Sequence, residues 1–414
     1  MQPGGKRAGG PAPEPLWRNR AFNLLWTSQS LSDLGSSISR LAIPLLVLDQ
    51  TRSPVQAGLV GTAGLLAGLL CRLPAGVLID RIDRRRAMIV SDAIRLVAYL
   101  GLALAVMQGR AGLPAIVTVA VLDAACTTVF GTAEHSALRN IVPAAQLPAA
   151  VARNEARTYG TSLAGPPLGG LLYGIGSMLP FLGNCVTYLA SFVGVLLIRQ
   201  PLQERRDAVP AGHGSAMAEG VRFVFGNAFL RSVLLIVAPL NLAISGIMFA
   251  IVITLQRHHT APAVIGTAET ILGVGGLLGA FAAPALQRWL RLPVLIRAIC
   301  WTASGLMAVS ALLTDSLAAA VPLGLAVFLG PACNAALFGY QTAITPDRLQ
   351  GRVVSVIFLV GTSVSAAAPA LAGLLITVWN STAAVLTFAA MVVGSAVAAT
   401  VGRGIRTMRA GTAP

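Results

Sequence analysis

The stretch Gly76-Val77-Leu78-Ile79-Asp80-Arg81-Ile82-Asp83-Arg84-Arg85-Arg86 decides how this chain is read. From Asp80 to Arg86 every residue but Ile82 is charged, and a long apolar segment runs on each side. So much charge confined between two helix-length apolar runs marks a short loop held at a membrane surface.

The rest of the chain supports that reading. It is 55% apolar and only 11% charged, with a mean hydropathy of +0.76. Apolar runs of spanning length recur from Phe22–Leu48 to Ala383–Val401, about twelve in all. In lipid, backbone amides are satisfied only within helices or closed barrels, and barrel strands are short and alternating, unlike these runs. The expected class is an all-α membrane protein.

Charge then orients it. Of 30 Lys and Arg, 24 fall in one alternate set of loops, from Lys6 and Arg7 through the Arg81–Arg86 cluster to Arg403, Arg406 and Arg409. The other set holds only Arg52, Arg110 and Arg257, while Arg40, Arg72 and Arg95 lie inside spans. The positive-inside rule makes the basic side cytoplasmic and places both termini there. It also accounts for the net charge of +15 without nucleic acid. Cys71, Cys126, Cys185, Cys300 and Cys333 are scattered through apolar segments and the four histidines lack ligand spacing, so neither disulfide nor metal is expected. No nucleotide-binding loop is present, and the expectation is no cofactor.

The domain plan follows. Residues 1–16 form a basic cytoplasmic tail without signal-peptide character, 17–199 a first six-helix bundle and 200–227 a cytoplasmic linker. The linker ends in an amphipathic segment, and 228–402 and 403–414 form a second bundle and a tail. A shift of 203 residues places Ile141 on Ile344, Pro143 on Pro346, Pro166 on Pro369 and Gly170 on Gly373, as duplication of a six-span unit requires. Two pseudo-symmetric six-helix bundles are therefore expected.

Gly76-x-Leu78-x-Asp80-Arg81-x-x-Arg84-Arg85 resembles the loop signature of the major facilitator superfamily, and Gly165-Pro166-x-x-Gly169-Gly170 resembles the core of its antiporter motif. Arg18-Asn-x-x-Phe22, Leu45-Leu-Val, Ser91-Asp92-x-x-Arg95 and Glu219-Gly-x-Arg222-Phe223 look like its drug/macrolide-efflux and siderophore-exporter subfamily. The resemblance runs from about Trp17 to Arg403. It departs at Asp83, where a glycine is usual, and at Gly35-Ser36, where the common acid is displaced to Asp33. Thr161 and Ala152 replace outlying glycines, and His135 replaces a common base. What it implies is the major facilitator fold, a loop that latches the halves through Asp80, and a central cavity lined by spans one, four, seven and ten.

The site candidates follow from cost. A charge inside a membrane is expensive and is a functional candidate by default. Asp33 and Asp123, near the middle of spans one and four, are the proton-coupling candidates, since a carboxylate that resists ionisation when dry can load and release a proton. Ser36, Ser37, Arg40, Thr127, Asn241, Ser245 and Asn334 are the cavity candidates, and Arg40 with Arg72 hints at anionic cargo. Glu269 and Glu155 are placed nearer a membrane surface. Asp80 is expected to pair with Arg84, Arg85 or the start of span eleven. Pro166 should let span five bend, with Gly165, Gly169 and Gly170 allowing close approach.

The expected function is proton-driven efflux of small amphipathic compounds such as drugs, macrolides or siderophores across a bacterial inner membrane, by a monomer that is not an enzyme. Alternatives are uptake or exchange of a metabolite or lipid, and a membrane sensor or membrane enzyme.

Overall fold

The computed structural model describes residues 16–143, 146–198, 200, 202–203, 213–289, 292–346, 349–402 and 405. The tails 1–15 and 406–414 and most of the linker before residue 213 lie outside the described residues.

The first half holds α1 (Arg20–Thr51), α2 (Pro54–Arg81), α3 (Arg84–Met107), α4 (Leu113–Ile141), α5 (Leu147–Ile175) and α6 (Leu179–Leu197). After α7 (His213–Gly226) come α8 (Ala228–Arg257), α9 (Pro262–Trp289) and α10 (Leu292–Ala311). The last spans are α11 (Ala320–Phe328) with α12 (Gly330–Ile344), α13 (Gln350–Ala366) with α14 (Ala368–Val378), and α15 (Ser381–Val401). Spans ten and eleven are each interrupted, the first next to Pro331 and the second next to Pro369, where a proline cannot continue the hydrogen-bond ladder. Eleven helical segments among the described residues are long and apolar enough to cross a membrane. The twelfth span, α5, has the length but carries Arg153, Glu155 and Arg157 in its first half.

Helix starts are written locally. Asn19, Ser53, Asp83, Asn227 and Asn380 each accept a backbone N–H in the first turn of the helix that follows. Asp83, the departure from the loop signature, is thus the cap of α3: its carboxylate accepts from the Arg86 amide at 2.9 Å. Arg84 is buried and donates to the Ser136 and Leu202 carbonyls at 2.9 and 3.1 Å, and Arg85 donates to the Val195 and Leu196 carbonyls. These two arginines bind the loop to the ends of α4 and α6, a role beyond the one expected of them as partners of Asp80. The Asp80 side chain lies outside the described residues. Gly76 has open space around it and Arg81 is exposed.

An even number of antiparallel spans puts the start of α1 and the end of α15 on one face, here the terminal face; the other is the far face. Near the far face one hydrophobic core runs through both halves, from Leu41–Leu48 to Ile247–Ile253 and Phe388. Near the terminal face there are two cores, one around Phe22, Met88 and Phe130, the other around Leu230, Ile296 and Val356. The halves are joined at the far face and parted at the terminal face.

The join has a repeated design. Pro54-x-x-x-Gly58 on α2 faces Pro369-x-x-x-Gly373 on α14, and Pro166-x-x-x-Gly170 on α5 faces Pro262-x-x-x-Gly266 on α9. Each glycine lies on the facing proline's carbonyl so closely that a Cβ at Gly58, Gly170, Gly266 or Gly373 would collide with that backbone. Such contacts let backbones meet where lipid supplies no hydrophobic driving force, and they favour Cα–H···O contacts. Asp49 adds a polar tie, accepting from Tyr173 at 2.6 Å and from Gln256 of the other half at 2.7 Å.

Gly170→Val is expected to destabilise the protein by about 1–3 kcal/mol through overpacking. Gly76→Ala, in open space on a helix, is expected to leave stability unchanged or slightly raised. Thermal unfolding of the purified variants checks the contrast.

Candidate functional site

Between the halves lies a cavity of about 720 Å³. Its first-half wall carries Ser36 and Arg40 from α1, Arg72 from α2, and Asp123 and Thr127 from α4. Its second-half wall is mostly apolar, with Ile244, Met248, Phe249 and Val252 from α8 and Leu272 from α9, relieved by Ser245, Ser365 and Glu269. The size and the mix of apolar surface with few polar groups suit a drug-sized molecule.

Five of the expected residues, Ser36, Arg40, Asp123, Thr127 and Ser245, therefore converge on one cavity. Ser37 does not: it is buried against Gly165 of α5, where its hydroxyl accepts from Arg40 at 3.3 Å. Asn241 sits about one turn before Ser245, beside Gly361, and Asn334 is on an exposed face of α12; neither lines the cavity. Helical phase explains all three, since a polar residue one position off the inward stripe faces a neighbouring helix or lipid. Gly165 and Gly169 pack on Ser37 and Ile38 of α1, while Pro166 and Gly170 contact α9. The motif therefore serves two interfaces.

Asp33 and Asp123 are parted into separate clusters. Asp33 is off the cavity: its carboxylate is 3.1 Å from Arg157 Nε and accepts from Gln29 at 2.9 Å. Arg157, counted from the sequence as a loop anchor, is a buried residue of α5, and its Nη1 also donates to Glu134 at 3.0 Å. Asn154 donates to the same Glu134 oxygen at 3.0 Å. One guanidinium thus holds two carboxylates and ties α1, α4 and α5 together.

Asp123 belongs to the second cluster. It accepts from the Tyr188 hydroxyl at 2.9 Å, and Ser36 donates to the same Tyr188 oxygen at 3.2 Å, since the single phenolic proton is already committed. Behind it Arg95 is fully buried, 4.5 Å above the Tyr188 ring, and donates to Asp92 at 2.5 Å. Ser191 donates to the other Asp92 oxygen at 2.7 Å. Asp123 is thus the cavity end of a buried polar chain that runs through Tyr188 and Arg95 to Asp92.

Sequence reasoning missed Glu134, Arg157 and Tyr188 as site residues and set Glu269 near a surface. The signals were spacings: Asn154 with Arg157 and Asp92 with Arg95 are i, i+3 pairs on single helix faces.

The family model of the Major Facilitator Superfamily matches residues 25–369. The chain belongs to the major facilitator superfamily.

Three relatives are similar along much of this major facilitator chain. Multidrug efflux pump Tap of Mycobacterium tuberculosis (strain ATCC 25618 / H37Rv) is 30% identical over 275 residues, and the match spans 64% of each chain, short of two thirds of that pump's length. Macrolide efflux protein A of Streptococcus pyogenes is 26% identical over 363 residues, 84% of this chain and 86% of that protein. Enterobactin exporter EntS of Escherichia coli O1:K1 / APEC is 23% identical over 350 residues, 80% of each. Among solved structures, a bacterial homologue of the human lysosomal transporter Spinster, inward-facing and unoccupied, superposes with a TM-score of 0.70 at 16% identity, covering 94% of this chain and 96% of that one. That likeness establishes the fold.

Arg157→Gln strands the buried Glu134 and the half-buried Asp33 and is expected to cost about 3–5 kcal/mol. The double variant Arg157→Gln/Glu134→Gln is expected to recover part of that loss. Denaturation of the two variants side by side measures the coupling.

Proposed function

We propose that this transporter exports small amphipathic compounds, of the drug, macrolide or siderophore kind, in exchange for protons across a bacterial inner membrane by alternating access. The observation that carries the reading is the amphipathic cavity between two halves whose shared core and backbone contacts lie toward the far face. The excess of basic residues in the terminal-face loops supports a cytoplasmic terminal face, and on that orientation the divided core there corresponds to an inward-facing state. The names of the three relatives support export as the direction: each is an efflux protein or exporter.

Asp123 is the coupling residue in this scheme. It combines access to the cavity with a polar chain behind it: a hydrogen bond from Tyr188, then the stack of Arg95 on the Tyr188 ring, then the bond of Arg95 to Asp92. A proton taken up by Asp123 removes its attraction for Arg95 and changes which partner Tyr188 serves, so loading is felt by α3, α4 and α6 together. Asp33, bound by Arg157 away from the cavity, positions α1 against α4 and α5.

Substrate-driven proton flux in liposomes tests the assignment. Asp123→Asn is expected to abolish flux while substrate is still bound, and Tyr188→Phe to reduce it. Wild-type coupling in Asp123→Asn overturns the assignment. For cargo, a deletion strain is expected to be hypersusceptible to at least one amphipathic drug or siderophore. Unchanged susceptibility and accumulation across a broad panel would count against export.

A further inference from the structure

The duplication reaches further than the 203-residue shift shows. Sliding α2 by 208 residues places Pro54 on Pro262, Gly58 on Gly266 and Thr62 on Thr270. All three pairs do equivalent work: the prolines and glycines form the far-face contacts, and the two threonines bond the facing helix. Thr62 accepts from the Ala370 amide at 3.0 Å and Thr270 donates to the Leu163 carbonyl at 3.1 Å. The same shift places Gly61 on Glu269. The contact between halves therefore does not require a carboxylate at this position, because α2 makes the same contact with a glycine there.

Four ionisable side chains line the cavity: Arg40, Arg72, Asp123 and Glu269. Three have partners. Arg40 donates to Ser37, Arg72 stacks 4.8 Å over the Phe358 ring, and Asp123 accepts from Tyr188. Of the four, Glu269 alone has no hydrogen bond, ion pair or ring contact among the described residues. Around it α5, α8, α10, α11 and α12 present no ionisable group to the cavity; the charges that face it are Arg40, Arg72 and Asp123 on the opposite wall. A carboxylate set among Ile244, Met248, Val252 and Leu272 pays a desolvation cost that nothing on its own wall offsets. An incoming cation would relieve it.

We propose that Glu269 is the cation-recognition residue of the cavity, and that the preferred cargo is an amphipathic cation whose charge rests on Glu269 while its apolar body lies against α8. The inference rests on the export reading and narrows its substrate class. It also departs from the hint of anionic cargo drawn from Arg40 and Arg72, which the two acids of the lining, Asp123 and Glu269, match in number. Glu269 lies one turn below the Gly266–Pro166 contact, so a cation bound there sits directly beneath the seal of the far face.

The experiment uses two near-isosteric probes, tetraphenylphosphonium as a permanent cation and triphenylphosphine oxide as its neutral counterpart, with equilibrium binding to the purified full-length protein. Wild type is expected to prefer the cation. Glu269→Gln is expected to weaken cation binding at least about tenfold while neutral binding changes less than about twofold, as loss of one desolvated charge partner predicts. Glu269→Asp is expected to keep most of the cation preference. Equal losses for both probes, or none for either, would overturn the inference. Wild-type binding of the neutral probe alone would overturn it and leave amphipathic export standing, whereas binding of neither would sink both.

Discussion

Four proline carbonyls packed on four glycines set the geometry on which the rest depends. The contact tolerates no Cβ on the glycine side, so α2 meets α14, and α5 meets α9, at backbone distance near the far face. Because each pair is reciprocal, Pro-x-x-x-Gly against Pro-x-x-x-Gly, the two interfaces are related by the same duplication that produced the two bundles. Everything toward the terminal face follows: the helices diverge, the single core divides in two, and a cavity opens at the level of Ser36, Asp123 and Ser245.

The buried charges follow a second rule, and they obey it twice in the first half. Arg157 serves Asp33 and Glu134, and Arg95 serves Asp92 while its charge also reaches Asp123. In each group two carboxylates depend on one guanidinium, and removing that cation costs more than removing either acid. The first group lies off the cavity and braces three helices; the second ends in the cavity at Asp123. The second half contributes an apolar wall with one carboxylate, Glu269. One half thus holds a polar network, while the other offers a greasy surface with a single charge.

Much of the fold was legible because its causes are local. Apolar run length reports spans and the Arg81–Arg86 loop reports a surface, while the caps Asn19, Ser53, Asp83 and Asn227 are equally local and went unread. The site was half legible. Ser36, Arg40, Asp123, Thr127 and Ser245, conspicuous as polar residues inside spans, line the cavity; Ser37, Asn241 and Asn334, equally conspicuous, do not, because direction depends on helical phase and each residue turns the helix by about 100°. Arg157 and Glu134 sit where span and loop look alike in sequence, and only the packing of α5 against α1 and α4 makes them interior. Glu269 was set near a surface because its depth depends on how far α9 extends beyond Pro262, which composition does not reveal. The α2–α9 correspondence was in the sequence throughout, at a different offset from the one that relates α5 to α14.

The central claim is that the proline–glycine contact is the joint that opens when the cavity changes sides. Pulsed electron–electron distance measurements test it directly, with one pair of spin labels at Arg52 and Trp379 on the far face and another at Val151 and Arg288 toward the terminal face. When substrate or pH changes the state, the far-face distance is expected to lengthen as the terminal-face distance shortens. A far-face distance that stays fixed under every condition that supports transport would contradict the account.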